Sequence, residues 1–252
     1  MNRFERVNIL LTGAGSGIGR ATAVRLVAEG GTVLAVDLSE DGLRRTVEAA
    51  TAEPGAAGRI VPHVADVSDE RAVIDAISAA VGELGGIDVL INVAGIHRTT
   101  PIDRLTVSDM QRLFTVNAVG TALFCREALP HLPDDTGVIV NVASSSATHG
   151  NPYMSAYSAS KGAVLAFSLC LASEVAHRGI RVVPVSPGAV ATPLTGADVL
   201  PPELDASYYQ RIRSPRGVAD PEQIAGVLAF AASRDGGYLT GAEVRVDGGS
   251  HT

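Results

Sequence analysis

Thr12-Gly13-Ala14-Gly15-Ser16-Gly17-Ile18-Gly19 follows a short apolar run at residues 7–12 and leads into a helix-length segment at 18–29. The spacing is GxxxGxG, because Ile18 stands where GxGxxG would need a third glycine. Glycines at a strand-to-helix turn permit the tight reversal, let the backbone approach a pyrophosphate and let the helix pack close to the sheet. The helix start then offers free N–H groups and a partial positive charge to an anion. Gly13, Ser16, Gly17, Ile18 and Gly19 are therefore candidate dinucleotide contacts. No Gly-Lys-Ser/Thr follows, so an NTPase loop is not supported.

Outward from this turn, β-branched apolar runs alternate with longer helical patterns. Strands are expected at residues 7–12, 32–37, 59–66, 87–92, 138–143, 180–186 and 243–246, and helices at 18–29, 40–52, 69–84, 106–131, 155–178 and 221–233. That βαβα rhythm predicts an α/β fold, a doubly wound (Rossmann) parallel sheet of about seven strands with helices on both faces, in a single domain. Residues 191–217, with four prolines, interrupt the rhythm and read as a substrate-binding loop or lid. Asp220-Pro221-Glu222-Gln223 reads as the start of the last helix.

Asp37 ends the second strand, 18 residues beyond Gly19. A carboxylate there can accept hydrogen bonds from adenosine ribose hydroxyls and would repel a 2′-phosphate. Ser16 and Leu38, its uncharged neighbours, offer that phosphate no cation. NAD is expected in preference to NADP.

Composition narrows the remaining classes. The chain has 252 residues, 46% apolar and 19% charged, enough apolar material for a core. Its net charge of −7 argues against nucleic acid or anionic membrane as a partner. No apolar run approaches the roughly 18 residues of a membrane span, and the N-terminus lacks a signal-peptide core, so a soluble cytoplasmic protein is expected. Cys125 and Cys170, both in apolar helical stretches, read as buried reduced thiols. The six histidines are scattered without ligand spacing, and no metal site is expected.

Tyr157 and Lys161 are spaced i,i+4 on the expected 155–178 helix, so both side chains share a face. A nearby ammonium would favour the phenolate and lower the tyrosine pKa, making the pair plausible acid–base machinery. Ser144 falls just beyond the strand at 138–143, at the carboxyl edge where ligands of such sheets collect. A Tyr-x-x-x-Lys pair alone also occurs on many solvated helices.

In their common order and spacing, TGxxxGxG at 12–19, Asp66-Val67, Asn92-Val93-Ala94-Gly95, Asn117, Ser144, Tyr157 with Lys161, Pro187-Gly188 with Thr192, and Asp247-Gly248-Gly249 resemble the short-chain dehydrogenase/reductase family. Val93 departs from the frequent Asn-Asn-Ala-Gly form. The resemblance implies that Tyr157 exchanges a proton with the substrate oxygen, Ser144 hydrogen-bonds that oxygen, Lys161 holds the nicotinamide ribose and lowers the Tyr157 pKa, and Asn117 holds a water in a relay to Lys161. It implies adenine contacts from Asp66 and Val67, adenosine and ribose contacts from Asn92, Ala94 and Gly95, and a nicotinamide wall of Pro187, Gly188, Val190 and Thr192.

The expected reaction is hydride transfer between NAD(H) and a small-molecule secondary alcohol or ketone. A 3-oxoacyl-[acyl-carrier-protein] reductase is the alternative, favoured by the cation Arg178 and opposed by Asp134, Asp135 and Asp37; a catalytically silent NAD-binding sensor or scaffold is a further one. Residues His97 and Arg98, 148–154 and 194–213 should set the substrate. His149 reads as a solvated loop residue or a group orienting substrate, and Tyr208 and Tyr209 as a lid or an anchor. The resemblance also implies a homotetramer or homodimer, with Leu165, Leu169 and Leu171 serving either core or interface.

Overall fold

Strands Asn8–Thr12 (β1), Thr32–Asp37 (β2), Arg59–Val64 (β3), Val89–Asn92 (β4), Val138–Val142 (β5), Arg181–Pro187 (β6) and Val244–Val246 (β7) form one sheet in the order β3-β2-β1-β4-β5-β6-β7. Every pairing is parallel. This is a computed structural model, and it describes residues 2–53, 55–196, 204–205, 207–210 and 212–250. The helices are Gly17–Ala28 (α1), Glu40–Ala52 (α2), Glu70–Leu84 (α3), Val107–Phe114 (α4), Gly120–Ala128 (α5), Ser155–Glu174 (α6), Pro193–Gly196 (α7), Ser207–Gln210 (α8) and Pro221–Ala232 (α9).

Strand alternation sorts the core into two layers. Ile9, Leu11, Val33 and Ala35 pack on one face with Leu26 of α1 and Leu228 of α9. Leu10, Leu34, Leu90 and Ile139 pack on the other with Ile77 of α3 and Phe124 of α5. The order reverses between β1 and β4, where chains leave in opposite directions and open a crevice at the carboxyl edge.

Pro184 sits within β6, where a missing N–H would ordinarily break a ladder. Val185 turns its carbonyl toward β5, accepting from Ala143 N, so position 184 faces the β7 side. β7 begins only opposite Val185, and the lost donor has no partner strand to miss. At α9, Pro221 occupies the first turn and Gln223 Oε1 accepts from the Asp220 backbone N–H at 2.9 Å.

Two expected helices differ from their sequence reading. The 106–131 segment is α4, a π-helical turn at Thr115–Val119, α5 and a 3-10 turn at Leu129–His131. The 155–178 segment is α6 followed by a 3-10 turn at Ala176–Arg178, closed by Gly179 in the left-handed region. Cys125 is buried as expected, and burial pushes its thiol up to about 12. Cys170 is exposed on α6, because apolar neighbours in sequence fall on different faces of the helix: Leu171 is buried while Leu169 is exposed. Leu165 is also buried. Within 191–217 lie α7 and α8; Leu200, Pro201 and Pro202 lie outside the described residues.

Arg181 fastens the end of α9 to β6. Its guanidinium donates to the carbonyls of Ala231 and Gly236 at 2.9 Å, Ser233 at 3.0 Å and Leu239 at 3.2 Å. Helix C-termini leave carbonyls without intrahelical donors and carry partial negative charge, so one cation satisfies both needs. Burial lowers the Arg181 pKa. Arg181→Met leaves those carbonyls unpaired and should destabilise the fold by about 2–3 kcal/mol, measured as a lower denaturation midpoint in urea. An unchanged midpoint would show that solvent serves the carbonyls equally well.

Candidate active site

A cleft of about 1110 Å³ runs along the carboxyl edge of the sheet. Gly13, Ser16, Gly17, Ile18 and Gly19 form one wall, with Asp37, Leu38, Asp66 and Val67 at one end. Ala94 and Gly95 lie along its floor, and Ser144, Tyr157, Lys161, Pro187, Gly188, Val190 and Thr192 line the other end.

The glycine wall depends on missing side chains. Gly13 has φ +71°, and a Cβ there would lie 2.6 Å from Ala94 N. Gly17 has φ +48°, and its Cβ would lie 2.9 Å from Thr192 Cγ2. A Cβ on Gly19 would collide with the carbonyl of Gly13. No side chain caps α1 at Ser16, and no acid occupies its first turn. A backbone cradle with open N–H groups fits a pyrophosphate.

Asp37 is fixed by backbone. Oδ2 accepts from Gly15 N at 2.8 Å and Oδ1 from Ser39 N at 2.9 Å. Leu38 beside it is exposed. The nearby guanidiniums are committed elsewhere: Arg20 donates to Thr46 Oγ1 at 3.1 Å and to the Gly15 carbonyl, and Arg44 and Arg45 pair with Asp41.

At the far end, α6 brings Tyr157 and Lys161 to Ser144. The Ser144 hydroxyl faces the phenol and works against the rise in its pKa. Its Oγ also accepts from Ser146 N at 3.2 Å and Ser146 Oγ at 2.9 Å, which fixes the turn Ser145–Ala147. Lys161 Nζ donates to the Val142 carbonyl at 2.8 Å, and burial lowers its pKa from 10.5 to about 8. Burial raises the Tyr157 pKa, and the Ser144 hydrogen bond pulls against that rise. The Lys161 ammonium is directed at the Val142 carbonyl, and burial is the larger influence on the phenol.

One more expected residue is placed differently from its sequence reading. Asn92 does not line the cleft, a correction to the expected ribose contact: its side chain donates to Asn141 Oδ1 at 2.9 Å and lies within 3.5 Å of Cys125 Sγ, inside the sheet. Asn117 is fully buried in the π-helical turn. Its Oδ1 accepts from Ile96 N at 2.8 Å, and its Nδ2 lies 3.0 Å from Ile96 O and 2.9 Å from Ser160 Oγ. A Cβ on Gly95 would come within 3.1 Å of Asn117 Oδ1 and 3.3 Å of Lys161 Nζ, so that glycine leaves room for both.

Ser160 and the Val142 carbonyl carry no motif and were not singled out by sequence. Neither were Ser108, Arg112 and Thr115 of the α4 wall, although their i, i+4, i+7 spacing is a legible helical stripe. His97 lies edge-on to the Tyr157 ring, with centroids 4.5 Å apart. Tyr153, at φ +61°, packs against Tyr208 and Tyr209, and Tyr209 Oη donates to Pro152 O at 3.3 Å.

The family model described as Enoyl-(Acyl carrier protein) reductase matches residues 13–251. The 3-oxoacyl-[acyl-carrier-protein] reductase of Thermotoga maritima is 36% identical over 248 residues, 98% of each chain. A short chain dehydrogenase from Mycobacterium paratuberculosis bound to NAD superposes with a TM-score of 0.91 at 30% identity, covering 99% of both chains. One from Burkholderia cenocepacia in complex with NADP gives 0.89 at 31%, covering 100% of both.

The lowered Lys161 pKa has a measurable sign. Between about 8 and 10.5 the unfolded chain holds this proton more tightly than the folded one, so stability rises with pH through that window. Below it, the full cost of the buried ammonium is present. Lys161→Met lacks the effect, so the melting temperature of wild type relative to the variant should climb from pH 8 to 10.5. A difference that stays flat would refute the buried ammonium.

Proposed function

This chain belongs to the short-chain dehydrogenase/reductase family, a family of oxidoreductases, and on that premise we propose that it interconverts a secondary alcohol and a ketone with NAD(H). The carrying observation is the meeting of Tyr157, Ser144 and Lys161 in one cleft whose other wall is a bare glycine cradle. A nicotinamide coenzyme, when bound, donates or accepts the hydride. The glycine loop and the start of α1 would hold its phosphates, Asp37 its adenosine ribose and Lys161 its nicotinamide ribose.

Tyr157 holds the reacting proton on Oη. A phenol is protonated at neutral pH, so it can deliver that proton to a substrate oxygen during ketone reduction. Ser144 hydrogen-bonds the same oxygen as negative charge develops on it. In alcohol oxidation Tyr157 takes the proton back. Asn117 acts through Ile96 and Ser160 on the placement of these groups, and Thr192, Pro193 and Leu194 border the same cleft. The enzyme is read as a cytoplasmic homotetramer or homodimer, with exposed Val119 and Leu169 consistent with a covered face.

NAD is preferred over NADP on the Asp37 geometry: a carboxylate held by two backbone N–H groups opposes a 2′-phosphate. The carrier-protein reductase stands second, supported by the Thermotoga relative. Arg178, the cation it would need, is engaged: Nε lies 2.7 Å from Asp134 Oδ1, and the η nitrogens donate to the carbonyls of Leu129 and Leu132.

A screen of NADH and NADPH against cyclic ketones, sugars, steroids and acetoacetyl thioesters should find turnover, and Tyr157→Phe should lower kcat by about 10²–10⁴-fold while leaving NADH affinity nearly unchanged. Tight NADH binding with no turnover of any substrate would replace this reading with a coenzyme-binding sensor.

Asp37→Asn keeps an acceptor for Gly15 N but removes the charge. It should relax discrimination against NADPH by about tenfold, read from the Kd of each coenzyme. Wild-type preference for NADPH would overturn the assignment of Asp37.

A further inference from the structure

His149 bridges two walls of the cleft that no sequence motif connects. Its Nε2 lies 2.9 Å from Arg245 Nη1, and its Nδ1 lies 3.2 Å from the Ser145 carbonyl and 3.0 Å from Thr148 Oγ1. A guanidinium only donates, so Nε2 must be the acceptor. A carbonyl only accepts, so Nδ1 must carry the proton. Both contacts independently require the same neutral tautomer.

On one side of the bridge, Ser145 follows Ser144 and opens the turn that Ser144 caps. On the other, Arg245 Nε donates to Asp247 Oδ2 at 2.6 Å and Nη2 to the Ser250 carbonyl at 2.7 Å. Asp247 abuts the coenzyme wall: a Cβ on Gly188 would lie 2.8 Å from Asp247 Cα, and Gly188 N donates to Val246 O. The link therefore runs from the serine turn through His149, Arg245 and Asp247 to Gly188.

We infer that His149 is a positioning residue for the proposed oxidoreduction: as a neutral imidazole protonated at Nδ1, it ties the Ser144 turn to the strap behind Pro187 and Gly188. This role rests on the redox reading above. Arg245 faces the imidazole from the end of β7 with Asp247 behind it, while Ser145 and Thr148 meet it with uncharged oxygens. A proton on Nε2 in place of Nδ1 would turn a donor toward the guanidinium and a bare nitrogen toward the Ser145 carbonyl, breaking both contacts.

Glutamine at 149 can accept from Arg245 and donate to Ser145. With the best ketone of the screen, H149A should lower kcat about tenfold at neutral pH with little change in the KM for NADH. H149Q should restore most of that kcat. In parallel, ¹⁵N NMR of the wild-type histidines should show His149 as the Nδ1–H tautomer and H149A should lose amide exchange protection at Ser146 and Ala147. An Nε2–H tautomer overturns the bridge whatever the activity. Wild-type kcat in H149A, or H149Q no better than H149A, overturns the role while leaving the redox reading intact. A wild-type protein that turns over nothing removes the reaction and the positioning role with it.

Discussion

A buried ammonium with no carboxylate partner among the described residues fixes the proposed catalytic end of this molecule. Lys161 Nζ reaches the Val142 carbonyl at 2.8 Å and so joins the middle of one helix to the last residue of a central strand. Ser144 lies two residues beyond that carbonyl, and Tyr157 lies one helical turn before the lysine. One contact thus sets the separation of hydroxyl and phenol. Burying a charge is costly unless it is satisfied, and the cost is visible in a pKa brought down to about 8. Gly95 tolerates the ammonium because it has no side chain to contest the space.

Around that contact, polar side chains face inward in pairs. Asn117 exchanges hydrogen bonds with both backbone groups of Ile96, and Asn92 joins Asn141, whose amide reaches Ser168 Oγ at 2.9 Å. Such groups are tolerable in a core only when satisfied. Their pairing links β4, β5, α6 and the π-helical turn, the elements that carry Ala94, Ser144, Tyr157 and Lys161. Rigidity at the site and polarity in the core have the same origin.

Sequence revealed the parts of this arrangement that depend on local pattern. Val138-Ile139-Val140 and Leu10-Leu11 are apolar on both faces because a parallel sheet is covered on both, and that signal needs no tertiary knowledge. The Gly13 turn is legible because a positive φ against a neighbouring backbone admits little else. Asn92 differs because the resemblance places it at the ribose, whereas its side chain turns into the sheet toward Asn141. The π-helical turn at Asn117 was hidden because helical periodicity absorbs one extra residue, although an asparagine amid helix formers marked the place. Cys170 shows the same limit from the outside: an apolar stretch on α6 has a buried and an exposed side, and composition cannot assign them.

Charge along the cleft then gives a direction to whatever lies in it. The carboxylates of Asp37 and Asp66 stand at one end, the uncapped start of α1 presents positive partial charge at the middle, and Lys161 stands at the other end. An elongated ligand with hydroxyls at one terminus and an anionic centre is stabilised in one orientation and opposed in the reverse, where its phosphates would approach carboxylates. Shape alone does not impose that order, because the glycine cradle is made of backbone and reads no sequence of chemical groups. The order comes from carboxylates at the ends of β2 and β3 and from an ammonium that α6 brings to the end of β5. The parallel sheet makes this possible: it brings β2, β3 and β5 to a common edge, so that residues far apart in the chain act along a single axis.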